Sequence, residues 1–179
     1  DSPKDVKEDL IEQFAHNPIL VPQFHLPVQS GSSRVLKAMR RQYTREQYLD
    51  TVNQLKSKVP TIKFSSDIIV GFPGETDQEF EETLSLMEIV RYDHIFSFIY
   101  SPRPYTSAVK LEDDVPIEVK KERLKILQTL DRKITMEQNQ KEVGTDQEVL
   151  VEERNEEQNY TCLGSCLLYT SPSPRDKTV

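Results

Sequence analysis

The chain has 179 residues, of which 36% are hydrophobic and 30% are charged, so it is long and apolar enough for one ordinary domain and is not a disordered chain. Its formal net charge of −7 excludes a polyanion-binding surface over the whole chain, so any nucleic-acid contact must be local. No apolar run approaches the roughly 20 residues that cross a bilayer. The first residues are acidic where a targeting signal would be basic, so we expect a cytoplasmic protein without a membrane partner.

Three apolar runs rich in Ile, Val and Phe are each followed by a turn-like stretch and then by a segment with helical periodicity. They are residues 23–28, 62–72 and 94–100. Within the middle run, residues 67–72 (Asp-Ile-Ile-Val-Gly-Phe) are apolar on consecutive positions after the aspartate, which is typical of a parallel strand covered on both faces. This alternation predicts an α/β fold with parallel strands, either a sheet or a (β/α) barrel.

Helix starts are marked by two capping boxes, Thr44–Gln47 and Thr76–Glu79, which predict helices beginning near residues 45 and 77. Apolar residues at helical spacing follow each box, and we interpret them as core. Pro116 suits the first turn of a third, longer helix, and Gly144 is placed to end it. Residues 148–152 then predict a strand of a separate unit.

The end of the chain, from about Ser165 onward, resembles the translation of a sequencing-library adapter and is excluded from the fold prediction. This leaves Cys162 as the single natural cysteine, so we do not interpret its spacing to Cys166 as a metal site. The predicted organisation is a barrel portion over residues 1–143, the start of a second domain over 144–164 and a non-native tail over 165–179.

Each predicted strand ends in a loop that could carry chemistry, and in a (β/α) barrel such loops share one face. Gln29 and Ser30 offer an amide and a hydroxyl suited to a ribose or an amino-acid head group, although they equally suit capping of the next helix. Gly71 and Gly74 would let the backbone approach a ligand. Their loop, which ends at Glu75, opens into a helix N-terminus that favours anions, although a plain turn is the alternative.

Arg103 lies between Pro102 and Pro104 in a stiff loop, where it suits bidentate recognition of a carboxylate or phosphate, with a structural ion pair as the alternative. His25 and Asp67 fit hydrogen-bonded packing residues better than catalysts. No acid–base pair or nucleophile with a neighbouring base occurs in the sequence, so no catalytic residue is assigned.

A dense basic stretch is interleaved with tyrosines, and it predicts either an RNA-backbone contact with a stacking ring or a solvated helix face. Its residues are Arg34, Lys37, Arg40, Arg41, Tyr43 and Arg45.

Three segments, residues 25–45, 66–76 and 97–104, closely resemble the radical S-adenosylmethionine (SAM) methylthiotransferases that modify tRNA. They contain Pro-Val-Gln-Ser-Gly, Ile-Val-Gly-Phe-Pro-Gly-Glu-Thr and Ser-Pro-Arg-Pro, in the order and at the spacing of that family. The resemblance covers about residues 1–164. It departs from the family at Tyr105, where a glycine is usual.

The resemblance implies the C-terminal half of a radical SAM (TIM-like) barrel, followed by the truncated first strand of an RNA-binding TRAM domain. It implies addition of a methylthio group to C2 of N6-isopentenyladenosine beside the tRNA anticodon, with SAM as methyl donor and radical source and with a sulfur donor system as partner. The residues expected to bind SAM are Gln29, Ser30, Asp67, Gly71, Gly74, Glu75 and Arg103.

Two 4Fe–4S clusters serve this family, and the resemblance places their cysteines upstream of residue 1, so we expect the chain alone to be inactive. Alternatives are a methylthiotransferase acting on threonylcarbamoyladenosine in tRNA or on a ribosomal protein, and a non-catalytic RNA-binding module. An aldolase-like barrel enzyme would need a catalytic Lys or an acid pair at a strand end, and the sequence shows neither.

Overall fold

The computed structural model describes residues 3–17, 19–102, 108, 111–146, 149–155 and 161–166. Among these residues, no helix combines the length and the apolar character needed to cross a bilayer. After a short 3-10 helix the elements are α1 (Glu8–His16), β1 (Gln23–His25), α2 (Ser33–Ala38), α3 (Arg45–Lys58), β2 (Lys63–Val70), α4 (Asp77–Val90), β3 (His94–Ile99), α5 (Ile117–Glu142), β4 (Val149–Asn155) and β5 (Thr161–Cys166).

The first three strands form one parallel sheet in the order β1-β2-β3, so the predicted α/β class is confirmed. Parallel neighbours need crossover connections, which α2 and α3 supply before β2 and α4 supplies before β3. Strand β1 ends at His25, three residues earlier than predicted, and Pro27 has no N–H to offer a strand ladder. The chain rejoins the sheet through an isolated parallel bridge between Gln29 and Ile68.

The core lies between one face of the sheet and the helices. From β2, the side chains of Phe64, Ile68 and Val70 are at most 2% exposed. The apolar positions predicted from helical spacing meet them, and removing this area from water is the main favourable contribution to folding. The buried residues among these predicted positions are Tyr48, Val52 and Leu55 of α3, Phe80, Met87 and Val90 of α4, and Leu127 and Ile134 of α5.

The opposite face of the sheet is more open. Phe96 and Phe98 of β3 are 47% and 53% exposed, and Asp67 and Ile69 of β2 are only partly buried. The prediction that β2 is covered on both faces is therefore wrong for the described residues, because the core helices pack on one face. In a barrel wall the open face points to the interior, as expected of a partial barrel.

Helix ends follow the local sequence. Both capping boxes form, with the hydroxyls of Thr44 and Thr76 accepting from the backbone three residues later and the reciprocal side-chain contact present. Pro116 is the N-cap of α5, one residue before its predicted place inside the first turn. Gly144 follows α5 with φ +86°, a left-handed conformation that glycine adopts without Cβ strain.

The strand predicted over residues 148–152 is confirmed as β4, which forms an antiparallel hairpin with β5. Strand β5 includes Ser165 and Cys166, so it crosses the boundary predicted after residue 164 by two residues. The rest of the predicted tail, residues 167–179, lies outside the described residues. The assignment of the hairpin to a TRAM domain stays a prediction.

Candidate functional site

A cleft of about 710 Å³ opens at the carboxyl ends of the parallel strands. Gln29 follows β1, Asp67 belongs to β2 and Tyr100 follows β3, so segments from all three strands meet at one face. Met39 and Arg41, just after α2, complete this part of the lining. A volume of this size is typical of a small-molecule site.

Gln29 is held at the cleft in a left-handed conformation, with φ +71°. For a residue with a side chain this conformation costs roughly 1–2 kcal/mol and persists where the surroundings impose it. Here its N–H donates to the carbonyl of Asp67 at 2.8 Å and its carbonyl accepts from Ile69 at 2.9 Å. The neighbouring Ser30 is fully buried and accepts from the N–H of Ser32 at 3.2 Å, so of the predicted pair only Gln29 lines the cleft.

Asp67 presents a carboxylate on the open face of β2. Its Oδ1 lies 3.6 Å from Nε2 of His25, whose Nδ1 lies 3.0 Å from Oγ of Ser65. His25 is therefore a hydrogen-bonded residue, as predicted. The side chain of Asp67 is 31% exposed, which leaves acceptor positions available to a hydroxyl or ammonium donor in the cleft.

Arg41 brings a positive charge to the same cleft. Its backbone N–H donates to the carbonyl of Leu36 at 2.8 Å, directly after Arg40, which has φ +59°. The side chain is exposed, and within the described part of the chain its guanidinium makes no hydrogen bond or ion pair. The sequence assigned Arg41 to RNA, whereas the structure places it beside Gln29 and Asp67.

Aromatic rings supply an apolar wall. Phe72 and Tyr100 meet edge to face with ring centroids 5.1 Å apart, and Phe98 lines the same cleft. Flat aromatic faces and edges of this kind pack well against a purine ring.

The Glu75 carboxylate is engaged inside its own loop. Oε2 accepts from the N–H of Gly71 at 2.7 Å and from Nη1 of Arg123 at 2.8 Å. Burial raises the pKa of Glu75, while these hydrogen bonds and the charge of Arg123 oppose the rise. This buried carboxylate does not line the cleft, and its predicted contact with a cofactor stays a prediction.

Gly71 and Gly74 have φ +70° and +73°, as a tight turn between strand and helix requires. A Cβ on Gly71 would lie 2.3 Å from Cγ of Lys120, so the group that approaches this glycine is the lysine stem. The N–H of Gly74 donates to Asp114 at 2.6 Å. Neither glycine lines the cleft, and the close approach predicted for a ligand is made by the protein's own side chains.

Sequence reasoning missed Lys120 and Arg123, two buried cations of α5 that are 3% and 5% exposed. Lys120 Nζ lies 2.7 Å from a carboxylate oxygen of Asp113, and Arg123 Nη2 lies 2.7 Å from Asp77. A signal was present, because both cations occur at helical spacing with Leu127 on the buried face of α5.

The basic stretch is only partly available to RNA. Arg34 donates to Glu79 at 2.7 Å, and this hydrogen bonding lowers the pKa of Glu79 to about 2. Arg45 donates to a backbone carbonyl at 3.0 Å. Tyr43 is 6% exposed and donates to a backbone carbonyl at 3.1 Å, so its ring packs inside the protein, and its stacking on RNA stays a prediction. The exposed cations outside these contacts are Lys37, Arg40 and Arg41.

The predicted role of Arg103 and the departure from the family at Tyr105 concern residues outside the described ranges. Within the described ranges, no group of three or more His, Cys, Asp or Glu side chains is placed to hold a metal ion.

A family model described as the Radical SAM superfamily matches residues 2–87. The tRNA-2-methylthio-N(6)-dimethylallyladenosine synthase of Desulfotalea psychrophila is 53% identical over 152 residues, which are 85% of this chain and 34% of the relative. The enzyme of the same name from Pelobacter propionicus is 55% identical over 150 residues, with 84% and 34% covered. The chain therefore spans about a third of the length of these curated relatives.

Among solved structures, coproporphyrinogen III oxidase (HemN) from Escherichia coli, a radical SAM enzyme, is similar with a TM-score of 0.57 and 20% sequence identity. The similarity covers 72% of this chain and 31% of that one. At this identity the likeness concerns the fold alone, and it agrees with a partial (β/α) barrel.

Proposed function

We propose that this chain belongs to a radical SAM enzyme that adds a methylthio group to C2 of N6-isopentenyladenosine beside the tRNA anticodon, and the match of residues 2–87 to the Radical SAM family model supports this proposal. The observation that supports the proposal most directly is the cleft that collects Gln29, Arg41 and Asp67. The curated relatives carry the name of a synthase of this modified nucleoside. We place the enzyme in the cytoplasm.

The cleft residues fit SAM. The guanidinium of Arg41 suits the carboxylate of the methionine head group. The carboxylate of Asp67 accepts from a hydroxyl or ammonium group, and the amide of Gln29 both donates and accepts. The rings of Phe72 and Tyr100 offer an apolar wall to adenine. The carboxylate, the hydroxyl or ammonium groups and the adenine of SAM therefore each have a suitable partner in this cleft.

When bound, SAM supplies the radical that attacks an inert C–H bond and the methyl group that is transferred. The role of this chain is to bind and orient SAM. The described residues do not provide the ligands of a 4Fe–4S cluster, so we assign both clusters to parts of the enzyme outside this chain.

Lys37 and Arg40 are proposed to contact the tRNA backbone near the anticodon loop. Both are exposed and lie close in sequence to Arg41, which lines the cleft. A local pair of cations is compatible with a chain of net charge −7, because phosphate contacts require only a local concentration of positive charge. A sulfur donor system is the further partner that the reaction requires.

The test of the cleft uses the full-length protein that contains this chain, with its clusters reconstituted. Arg41→Gln removes a charge-assisted contact worth about 1.5–3 kcal/mol, so we expect SAM to bind about 10- to 150-fold more weakly in equilibrium dialysis. Arg132→Gln, an exposed arginine of α5, is the matched control and should bind SAM as the wild type does. Equal affinity in the two variants would remove Arg41 from the site.

The test of the substrate is mass spectrometry of nucleosides from tRNA incubated with the full-length protein, SAM, sulfide and reductant. A methylthio group on isopentenyladenosine supports the proposal. The same group on threonylcarbamoyladenosine contradicts the proposed substrate, and so would a methylthio group on ribosomal protein incubated in place of tRNA and detected by peptide mass spectrometry. The 179-residue chain alone is expected to stay colourless and inactive after cluster reconstitution, and product from it would contradict the assignment of the clusters to another segment.

A further inference from the structure

The loop over residues 71–75 is fixed from helix α5. Nη1 of Arg123 donates to the carbonyl of Glu75 at 3.0 Å and to its Oε2 at 2.8 Å, while Nη2 donates to Asp77 at 2.7 Å. Oε2 of Glu75 in turn accepts from the N–H of Gly71 at 2.7 Å. The Glu75 carboxylate therefore links Gly71, the first residue of the loop, to Arg123 of α5.

This ion pair is buried. The side chains of Arg123 and Glu75 are 7% and 1% exposed, and the guanidinium lies 5.6 Å from the ring centroid of Phe80. Removing one partner of a buried pair leaves the other charge without compensation. Arg123 therefore supplies, inside the protein, the charge that compensates the Glu75 carboxylate.

Lys120, one turn before Arg123, extends the same contact to the cleft. Its stem packs on Gly71, and its Nζ lies 5.3 Å from the ring centroid of Tyr100. Phe72, the next residue of the loop, meets Tyr100 edge to face, and both rings line the cleft. The first turns of α5 thus determine where the aromatic wall stands.

We propose that Arg123 is a positioning residue for SAM, which holds Glu75 and Gly71 so that Phe72 stands against Tyr100. The proposal rests on the function proposed above, and Arg123 itself does not line the cleft. Its effect is preorganisation: a loop that is already ordered loses less conformational freedom when a ligand binds.

The experiment compares Arg123→Gln with Arg132→Gln in the full-length, cluster-loaded protein. SAM affinity is measured by equilibrium dialysis at a temperature where circular dichroism shows every variant folded. We expect Arg123→Gln to bind SAM about tenfold more weakly, which corresponds to about 1.4 kcal/mol. Hydrogen–deuterium exchange at residues 71–75 should be faster in Arg123→Gln and unchanged in the control.

Arg123→Lys provides a milder variant if Arg123→Gln does not fold. A lysine keeps the charge but lacks the fork that reaches Glu75 and Asp77 together, so we expect SAM affinity between those of Arg123→Gln and the wild type. Faster exchange with unchanged SAM affinity overturns the proposal, since Arg123 then serves stability alone. If the wild-type protein itself does not bind SAM, the proposed function is wrong. This outcome is distinguishable from failure of the positioning role, because it is seen without any substitution.

Discussion

Arg41 and Arg123 both lie near the carboxyl ends of the strands, but their surroundings are opposite. Arg41 is exposed at the cleft, and its guanidinium has no hydrogen bond or ion pair among the described residues. Arg123 is 5% exposed and donates to Glu75 and Asp77. The comparison teaches that an exposed charge without a partner among the described residues is available to a ligand, whereas a charge paired in the interior serves to shape the site.

Glu75→Ala would disrupt the paired region most. It leaves Arg123 buried without its carboxylate and the N–H of Gly71 without an acceptor, so we expect the free energy of unfolding to fall by about 3–5 kcal/mol in urea denaturation. Asp67→Asn, in the open region, is the control and should change it by less than about 1 kcal/mol. Similar losses in both variants would remove the distinction between the regions.

Gly71→Ala tests the contact between the loop and α5. The left-handed conformation costs roughly 1–2 kcal/mol for alanine, and the new Cβ would crowd the stem of Lys120 at a cost of about 1–3 kcal/mol more. Gly144 also has a positive φ, but a Cβ there would have nothing within 4 Å. Denaturation of Gly144→Ala should therefore show only the cost of the left-handed conformation, without the cost of crowding. Adding Lys120→Ala to Gly71→Ala should recover part of the loss, and an additive double mutant would show that the two residues do not interact.

The pH dependence of stability separates two glutamates of the same segment. Hydrogen bonding by Arg34 lowers the pKa of Glu79 from 4.5 to about 2 in the folded chain. Its contribution to stability is therefore present above about pH 4.5 and is lost as the pH falls toward 2. Between these pH values, the free energy of unfolding measured by denaturation should decrease less steeply with falling pH in Glu79→Gln than in the wild type.

Glu75→Gln should not reduce this loss of stability at acid pH. Burial raises the pKa of Glu75, so the stability that comes from this pKa shift is present at low pH and is lost as the pH rises through the folded pKa, in the opposite sense to Glu79. If both substitutions reduced the loss of stability at acid pH equally, the lowered pKa of Glu79 would not be the source of the acid sensitivity.

Gln29→Gly is expected to have the smallest effect on stability and still a clear effect on binding. Glycine relieves the left-handed strain but adds freedom to the unfolded chain, so the free energy of unfolding should stay within about 1 kcal/mol of the wild type. Loss of the amide should weaken SAM binding in the full-length protein about 5- to 150-fold. Unchanged SAM affinity would show that the amide of Gln29 is not used.

Local features were predicted well because their causes lie within a few residues of each other. The capping boxes at Thr44 and Thr76 need only a hydroxyl and an amide or carboxylate three residues apart. The surroundings of a side chain have no such local signal. The sequence predicts an RNA contact for Tyr43 and a cofactor contact for Glu75, whereas in the structure Tyr43 is buried and Glu75 binds Arg123.

The sequence by itself determined the alternation of strands and helices, the apolar faces of α3 and α4 and the resemblance to radical SAM methylthiotransferases, because each depends on periodicity or on motifs at short spacing. Only the tertiary structure decided which polar groups meet. Arg41 joins Gln29 and Asp67 at the cleft, and Glu75 pairs with Arg123, 48 residues further along the chain. The physical reason is that hydrogen bonds and ion pairs act over a few ångströms, and crossover connections bring distant segments to that distance without a local signal.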